Sequence, residues 1–194
     1  MERRASITRK TLETDIHVDL NLDGKGISKI LTGIGFFDHM LSTFAKHSLI
    51  DLTVTAQGDL HVDAHHTVED VGYATGEALM QALGDKKGIV RFGYAFAPLD
   101  ESLARVVIDL SGRSYCVYKA NVSGMIGTFP AELTGEFFRA LANQAKINIH
   151  IDILYGADLH HQIEAIFKAG AIALRNAMTV HPGIQGIPST KGSL

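Results

Sequence analysis

One motif constrains this chain more than any other: His-His-x-x-Glu occurs twice, as His65-His66-x-x-Glu69 and as His160-His161-x-x-Glu164. An unusual motif repeated at long range points to one supersecondary unit used twice, and the flanking sequence supports that reading. "RRASITRKTLETDIHVDLNL" alternates as two strands with a turn near Glu13, and "GKGISKILTG" gives a third strand. "GFFDHMLSTFAKHSL" places Phe37, Met40, Leu41, Phe44 and Ala45 at helical spacing. "IDLTVTAQGD" is a strand. From His65 a second helix sets Val68, Val71, Thr75, Ala78, Leu79 and Ala82 on one face and stops at Gly84.

The order then recurs. "FAPLDESLARVVIDLSGRSYCVYKANV" gives strands broken at Ser111-Gly112-Arg113, "PAELTGEFFRALANQAK" a helix, "INIHIDILYG" a strand, and "HHQIEAIFKAGAIALRNAM" a helix before "HPG". The expected fold is α+β, a tandem duplication of a β-β-β-α-β-α unit with a sheet packed on helices. Residues 1–88 form the first half, 89–181 the second, and 182–194 a tail. No Gly/Ser linker separates the halves, so they are expected to pack as one domain. Pairing the two Phe-Phe motifs sets Phe37 against Phe138. It leaves a shorter strand-to-helix connection in the second half.

Composition removes several function classes. The 194 residues are 46% hydrophobic and 20% charged with a net charge of −3, which gives no general electrostatic case for nucleic acid. No apolar run reaches the ~18 residues of a membrane span, and the first residues lack a secretory apolar core. Cys116 is the lone cysteine, which excludes an intramolecular disulfide and a thiolate metal cage. A cytoplasmic protein is the default.

Helix geometry says what the paired motifs offer. Glu69 lies one turn from both His65 and His66, while the two imidazoles diverge by ~100°. One helix therefore presents a His/Glu pair to one ion and its other histidine elsewhere. A single such pair is most often a solvated surface feature, but two at equivalent places in a duplicated fold point to metal. Imidazole plus carboxylate suits Mn, Fe, Zn or Ni, and the residues alone do not choose. His39, in "FFDHML", is a further candidate ligand or else a buried hydrogen-bonded histidine. Ser189, Thr190 and Lys191 in "GIPSTKGSL" suit a phosphate, or belong to a frayed tail. Arg91 and Arg113, each beside an element boundary, are candidate anion contacts or solvated side chains. Lys168 follows Glu164 by one turn and faces the same way.

"FFDHML", "DAHHTVEDVG", "IDLSGRSY", "HHQIEAIFKA" and "PSTKG" together resemble the imidazoleglycerol-phosphate dehydratase family, over essentially the whole chain. The resemblance implies a fold of the ribosomal-protein-S5-domain-2 type, two Mn²⁺ ions per active site, and a 24-subunit shell with sites between subunits. It implies metal ligation by His39, His65, His66, Glu69, His160, His161 and Glu164. Glu136 stands at an eighth ligand position where many members have His. Substrate contacts implied are Glu13, His39, His47, His65, Glu69, Arg91, Arg113, His160, Lys168, Ser189, Thr190 and Lys191.

The implied reaction dehydrates imidazoleglycerol phosphate to imidazole acetol phosphate in histidine biosynthesis. The proton leaves a carbon that no carbonyl acidifies, so the driving force must come from the ring, as an imidazolate held between two ions and then a diazafulvene. Glu13 is expected to take the carbon-bound proton, and Glu69, Glu164 or a metal-bound water to protonate the departing hydroxyl. The competing readings are a metal-storing shell without catalysis, which would have no use for the phosphate-binding set, and a metal-dependent hydrolase.

Overall fold

A computed structural model describes residues 2–194 and shows the duplication directly. The first half runs β1 (Arg4–Lys10), β2 (Thr14–Asn21), β3 (Ser28–Leu31), α1 (Gly35–Ser48), β4 (Asp51–Gly58) and α2 (His65–Leu83). The second runs β5 (Phe92–Leu99), β6 (Ser102–Asp109), β7 (Tyr115–Lys119), then a short ribbon of β8 (Met125–Ile126) and β9 (Phe129–Pro130), then α3 (Leu133–Ala145), β10 (Asn148–Tyr155) and α4 (Leu159–Met178). The ribbon was not legible in the sequence, because two-residue strands carry no alternation.

Each half folds its own four-stranded sheet, in the equivalent orders β1-β2-β4-β3 and β5-β6-β10-β7. The central strands explain why. β2 buries Ile16, Val18 and Leu20 on alternate positions, and β6 buries Ala104, Val106 and Ile108 in the same pattern. The helices lie between the two sheets. α2 packs on β1, β2 and β4, and α4 on β5, β6 and β10, while across the middle α1 meets α4 and α2 meets α3. The partnerships therefore cross the duplication. Phe37, Phe137, Phe138 and Phe167, all fully buried, fill the centre with edge-on and stacked contacts.

Strand direction sets where the helices begin. β3 is parallel to β4, and each leads into a helix, so α1 and α2 start at one edge of the body. β7 and β10 are likewise parallel and lead towards α3 and α4. The β1–β2 and β5–β6 turns reach the same edge, since Thr14 pairs with Gly58 and Leu103 with Tyr155 at the ends of β4 and β10.

The register of the repeat differs from the Phe-Phe pairing by one helical turn. α1 buries Phe37, Met40, Leu41, Phe44, Ala45 and Ser48, and α3 buries Thr134, Phe137, Phe138, Leu141, Ala142 and Ala145 at matching positions. Both helices end on a left-handed residue, Leu49 (φ 62°) and Lys146 (φ 53°), two residues before the next strand. Met40 thus matches Phe137, and His39 matches Glu136. A shift of four residues nearly preserves a helix face, so an aromatic doublet alone cannot fix the turn. The shorter connection is real: six residues separate β4 from α2, and three separate β10 from α4.

Candidate metal centre

All the histidines and glutamates singled out as ligands lie at the edge where the four helices begin. His39, His160 and Glu164 draw together across both halves, Glu69 and Glu136 share a cleft, and His66 forms a group of its own with Glu13 and Asp59, whose ligand atoms all lie within 4.8 Å of one another.

The first cluster uses α1 and α4. His39, His160 and Glu164 offer ligand atoms that all lie within 4.8 Å of one another. Glu164 Oε2 stands 3.3 Å from His39 Nε2 and 3.1 Å from His160 Nε2, while its Oε1 accepts a 2.8 Å ion pair from Lys168. Burial alone would raise the Glu164 pKa, but Lys168 and the two imidazoles outweigh it and hold the carboxyl below its ordinary value. One oxygen is thereby tethered and the other faces two imidazoles, the arrangement a metal-ligating carboxylate requires.

The second cluster uses α2 and α3. Glu69 and Glu136 line one cleft of about 410 Å³ with Tyr73, Cys116 and Arg139. Tyr73, one turn after Glu69 as Lys168 is after Glu164, donates its hydroxyl to Glu69 at 3.4 Å. Arg139 binds Glu136 at 2.7 Å and, against the effect of burial, lowers its pKa, with a smaller contribution from His65. The clusters differ in charge: in the second a carboxylate, Glu136, stands where the first has His39, Arg139 accompanies it, and the neutral Tyr73 takes the place of Lys168. Burial pushes the Cys116 thiol up to about 11, so it supplies no thiolate at neutral pH.

The second histidine of each motif turns away, as the ~100° divergence requires. The His65 and His66 ring centres lie 6.1 Å apart with their planes inclined at 85°, and those of His160 and His161 also 6.1 Å apart at 80°. His66 Nδ1 meets Asp59 at 2.9 Å and lies 3.8 Å from Glu13. His161 Nδ1 meets Glu101 at 2.7 Å and its Nε2 lies 3.9 Å from Asp100. Both imidazoles have raised pKa values, first through the hydrogen bonds that Asp59 and Glu101 accept from them. Each ring is thus held by a carboxylate of its own half. Asp59 and Glu101 were missed in the sequence. The signal for Glu101 was its place just before β6, matching Glu13 just before β2.

The candidate phosphate contacts fall into two groups. His47, in the last turn of α1, lies near Lys168 and Arg175, and its pKa is lowered by burial first and then by those two cations. Arg175 also donates to the His47 carbonyl at 3.2 Å, a residue sequence reasoning did not single out. The other group sits at the opposite edge. Arg91 pairs with Asp109 at 2.7 Å, donates to the Pro188 carbonyl at 2.9 Å, and bonds through its backbone to Ala177 at the end of α4. Arg113 is exposed in the turn before β7, and Ser189, Thr190 and Lys191 follow Pro188 in the tail. At 1.5 Å per helical residue, the rise from Glu164 to Ala177 is about 20 Å. Within one chain, Arg91, Arg113 and the tail therefore do not reach the His/Glu edge. No helix among the described residues is long and apolar enough to cross a membrane.

Comparison with known proteins identifies the family. The family model described as imidazoleglycerol-phosphate dehydratase matches residues 32–174. The chain is 56% identical over 191 residues to the imidazoleglycerol-phosphate dehydratase of Lacticaseibacillus casei (strain BL23), covering 98% of each chain. It is 58% identical over 194 residues to that of Albidiferax ferrireducens, covering 99% of this chain and 95% of the relative. The crystal structure of the Staphylococcus aureus enzyme superposes with a TM-score of 0.83 at 42% identity, over 92% of this chain and 99% of that one. The Pyrococcus furiosus enzyme gives 0.84 at 36%, over 97% and 100%. These relationships leave the non-catalytic metal store without support. The chain belongs to the imidazoleglycerol-phosphate dehydratase family, the lyases that dehydrate imidazoleglycerol phosphate in histidine biosynthesis.

Proposed function

We propose that the chain carries out this dehydration with two manganese ions per active site, at sites completed between the subunits of a 24-subunit shell. The observation that carries the reading is the separation of parts: partial His/Glu clusters lie at one edge, and Arg91, Arg113, Ser189, Thr190 and Lys191 lie at the other. Only a second copy brings them together. His66 and His161, each held by an acid, fit the same reading as ligands offered to a neighbouring cluster.

The donor set fits manganese. His39, His160 and Glu164 supply one partial shell and His65, Glu69 and Glu136 the other, with imidazole and carboxylate donors and no thiolate. Bound ions would supply Lewis-acid stabilisation of the negative charge that develops on the substrate's imidazole ring.

The remaining roles belong to the chain's own groups. Glu13 stands exposed in the β1–β2 turn beside His66 and is the base that removes the proton from the carbon next to the one losing hydroxyl. Glu69 or Glu164 delivers a proton to the departing hydroxyl. The enol so formed tautomerises to the ketone. His47, Lys168 and the Arg91, Arg113 and Ser189–Lys191 set hold the phosphate, which takes no part in bond breaking. The tail, 182–194, acts as a substrate-binding segment of a single domain. A cytoplasmic setting fits the lone, half-buried Cys116.

The test is chelation of the purified protein, followed by readdition of single metals in an assay that measures both ketone and free phosphate. Chelation abolishes ketone formation, and Mn²⁺ restores it better than Mg²⁺, which prefers an all-oxygen shell. Light scattering on the same samples shows the large particle dissociating without metal and re-forming with it. Full turnover by metal-free protein sinks the proposal, and release of phosphate without ketone favours a hydrolase.

A further inference from the structure

The two turns that end at the His/Glu edge treat their glutamates differently. Glu101 is fully engaged: its carboxylate accepts from the backbone of Ala157 at 3.0 Å, of Asp158 at 2.8 Å, from Ser102 Oγ at 2.8 Å, and meets His161. The carboxylate of Glu13, its counterpart, makes no hydrogen bond among the described residues: it lies 3.8 Å from His66 Nδ1 and within 4.8 Å of an Asp59 oxygen. Where Glu13 points is therefore decided by its backbone, not by partners of its own side chain.

That backbone is fastened to α2 by one buried acid. Asp70, 6% exposed, follows the ligand Glu69. Its Oδ2 accepts from Thr14 Oγ1 at 2.5 Å, and its Oδ1 accepts from Arg9 Nε at 2.7 Å. Thr14 is the residue after Glu13, and the Thr11 hydroxyl closes the turn by accepting from the backbone of Glu13 and Thr14. The Arg9 guanidinium also lies 5.2 Å from the centre of the Tyr73 ring, whose hydroxyl reaches Glu69. The second half has no such clamp: Ala165 fills the Asp70 position, and Ser102, in place of Thr14, turns its hydroxyl to Glu101.

We propose that Asp70, acting through Thr14 and braced by Arg9, is a positioning residue that sets the Glu13 carboxylate in register with the ligands of α2. The inference rests on the reading of Glu13 as the base. A buried carboxylate with both oxygens bonded holds a rigid geometry, and misplacement of a reacting group by about 1 Å costs on the order of 100-fold in rate.

The experiment compares Thr14→Val, Thr14→Ser, Glu13→Gln and the double variant Glu13→Gln/Thr14→Val in the metal-loaded assembly. Thr14→Val keeps the side-chain shape but removes the donor. It should lower kcat roughly 10- to 100-fold, with KM, bound manganese and particle size unchanged, and Thr14→Ser should restore most of the rate. Because the clamp acts through Glu13, Thr14→Val should cost nothing further in the Glu13→Gln background. Arg9→Met, which frees the other Asp70 oxygen from a half-exposed position, should give the same pattern more weakly and serves if Thr14→Val does not fold. Wild-type kcat in folded Thr14→Val, or an added loss in the double variant, overturns the clamp while leaving Glu13 as base. Full turnover by Glu13→Gln overturns the reading of the base and the clamp with it.

Discussion

The two halves of the chain share strand order, helix placement and the His-His-x-x-Glu motif, yet around that motif they have parted. His39 corresponds to Glu136, Lys168 to Tyr73, Asp70 to Ala165, and Glu13, whose carboxylate makes no hydrogen bond among the described residues, to the fully bonded Glu101. Even the outer sheet surfaces differ: Arg4, Ser6, Thr8 and Lys10 on the first, Phe92, Tyr94 and Phe96 on the second. The difference teaches that duplication conserved positions and not charges. The scaffold fixes where a ligand or an acid stands, and each copy then chooses which group stands there.

The sharpest way to test that division is to treat the paired glutamates alike. Glu13→Gln should lower kcat by about 10²- to 10⁴-fold, the range for a positioned base, with manganese content intact. Glu101→Gln should instead weaken manganese binding by about 10- to 100-fold, as loss of a group orienting a ligating histidine does, and its turnover should recover at saturating Mn²⁺. Metal titrations followed by rate measurements separate the two. Equal behaviour would mean the turns remain functional duplicates.

A smaller effect should follow from making the clusters more alike. Glu136→His gives the α2·α3 cluster the donor set of the α1·α4 cluster and leaves Arg139 without its acid. Several-fold loss of preference for Mn²⁺ over Zn²⁺ at one of the two ions is expected, since imidazole suits the softer metal. Competition between the metals, read by metal content per chain, checks it.

The smallest effect compares the helix seams. A methyl group at Gly76, in α2, would stand 2.5 Å from the Leu141 carbonyl oxygen of α3, whereas one at Gly170, in α4, would meet only the edge of Phe138 at 3.4 Å. Gly76→Ala should therefore cost about 1–3 kcal/mol by overpacking. Gly170→Ala should be near neutral, because the gain in helix propensity offsets the mild crowding. Thermal unfolding of the two variants decides whether the seams differ in closeness.

Much of this was legible before any coordinates. The doubled motif, its divergent imidazoles, the start of α2 at His65 and the strand–helix order all follow from local spacing. The helix register did not, since Phe36-Phe37 and Phe137-Phe138 satisfy the burial pattern almost as well one turn apart. Nor did the crossed helix partnerships, the clamp at Asp70 or the role of Glu101. Each joins residues tens of positions apart through one side chain, and no periodicity reports such a contact.

The crossed partnerships have a consequence for how such a fold can exist at all. A single β-β-β-α-β-α unit contains both helix types, but its own first helix makes neither of the two seams with its own second helix; each seam joins opposite halves. An unfused unit would thus meet its missing partner only by colliding with another molecule, and its stability would rise and fall with protein concentration. Joining two units in one polypeptide replaces that encounter with a tethered one at an effective concentration on the order of millimolar. Once the pairing no longer depends on two identical chains finding each other, each copy is free to vary without its counterpart, which is the freedom that Glu13 and Glu101 record.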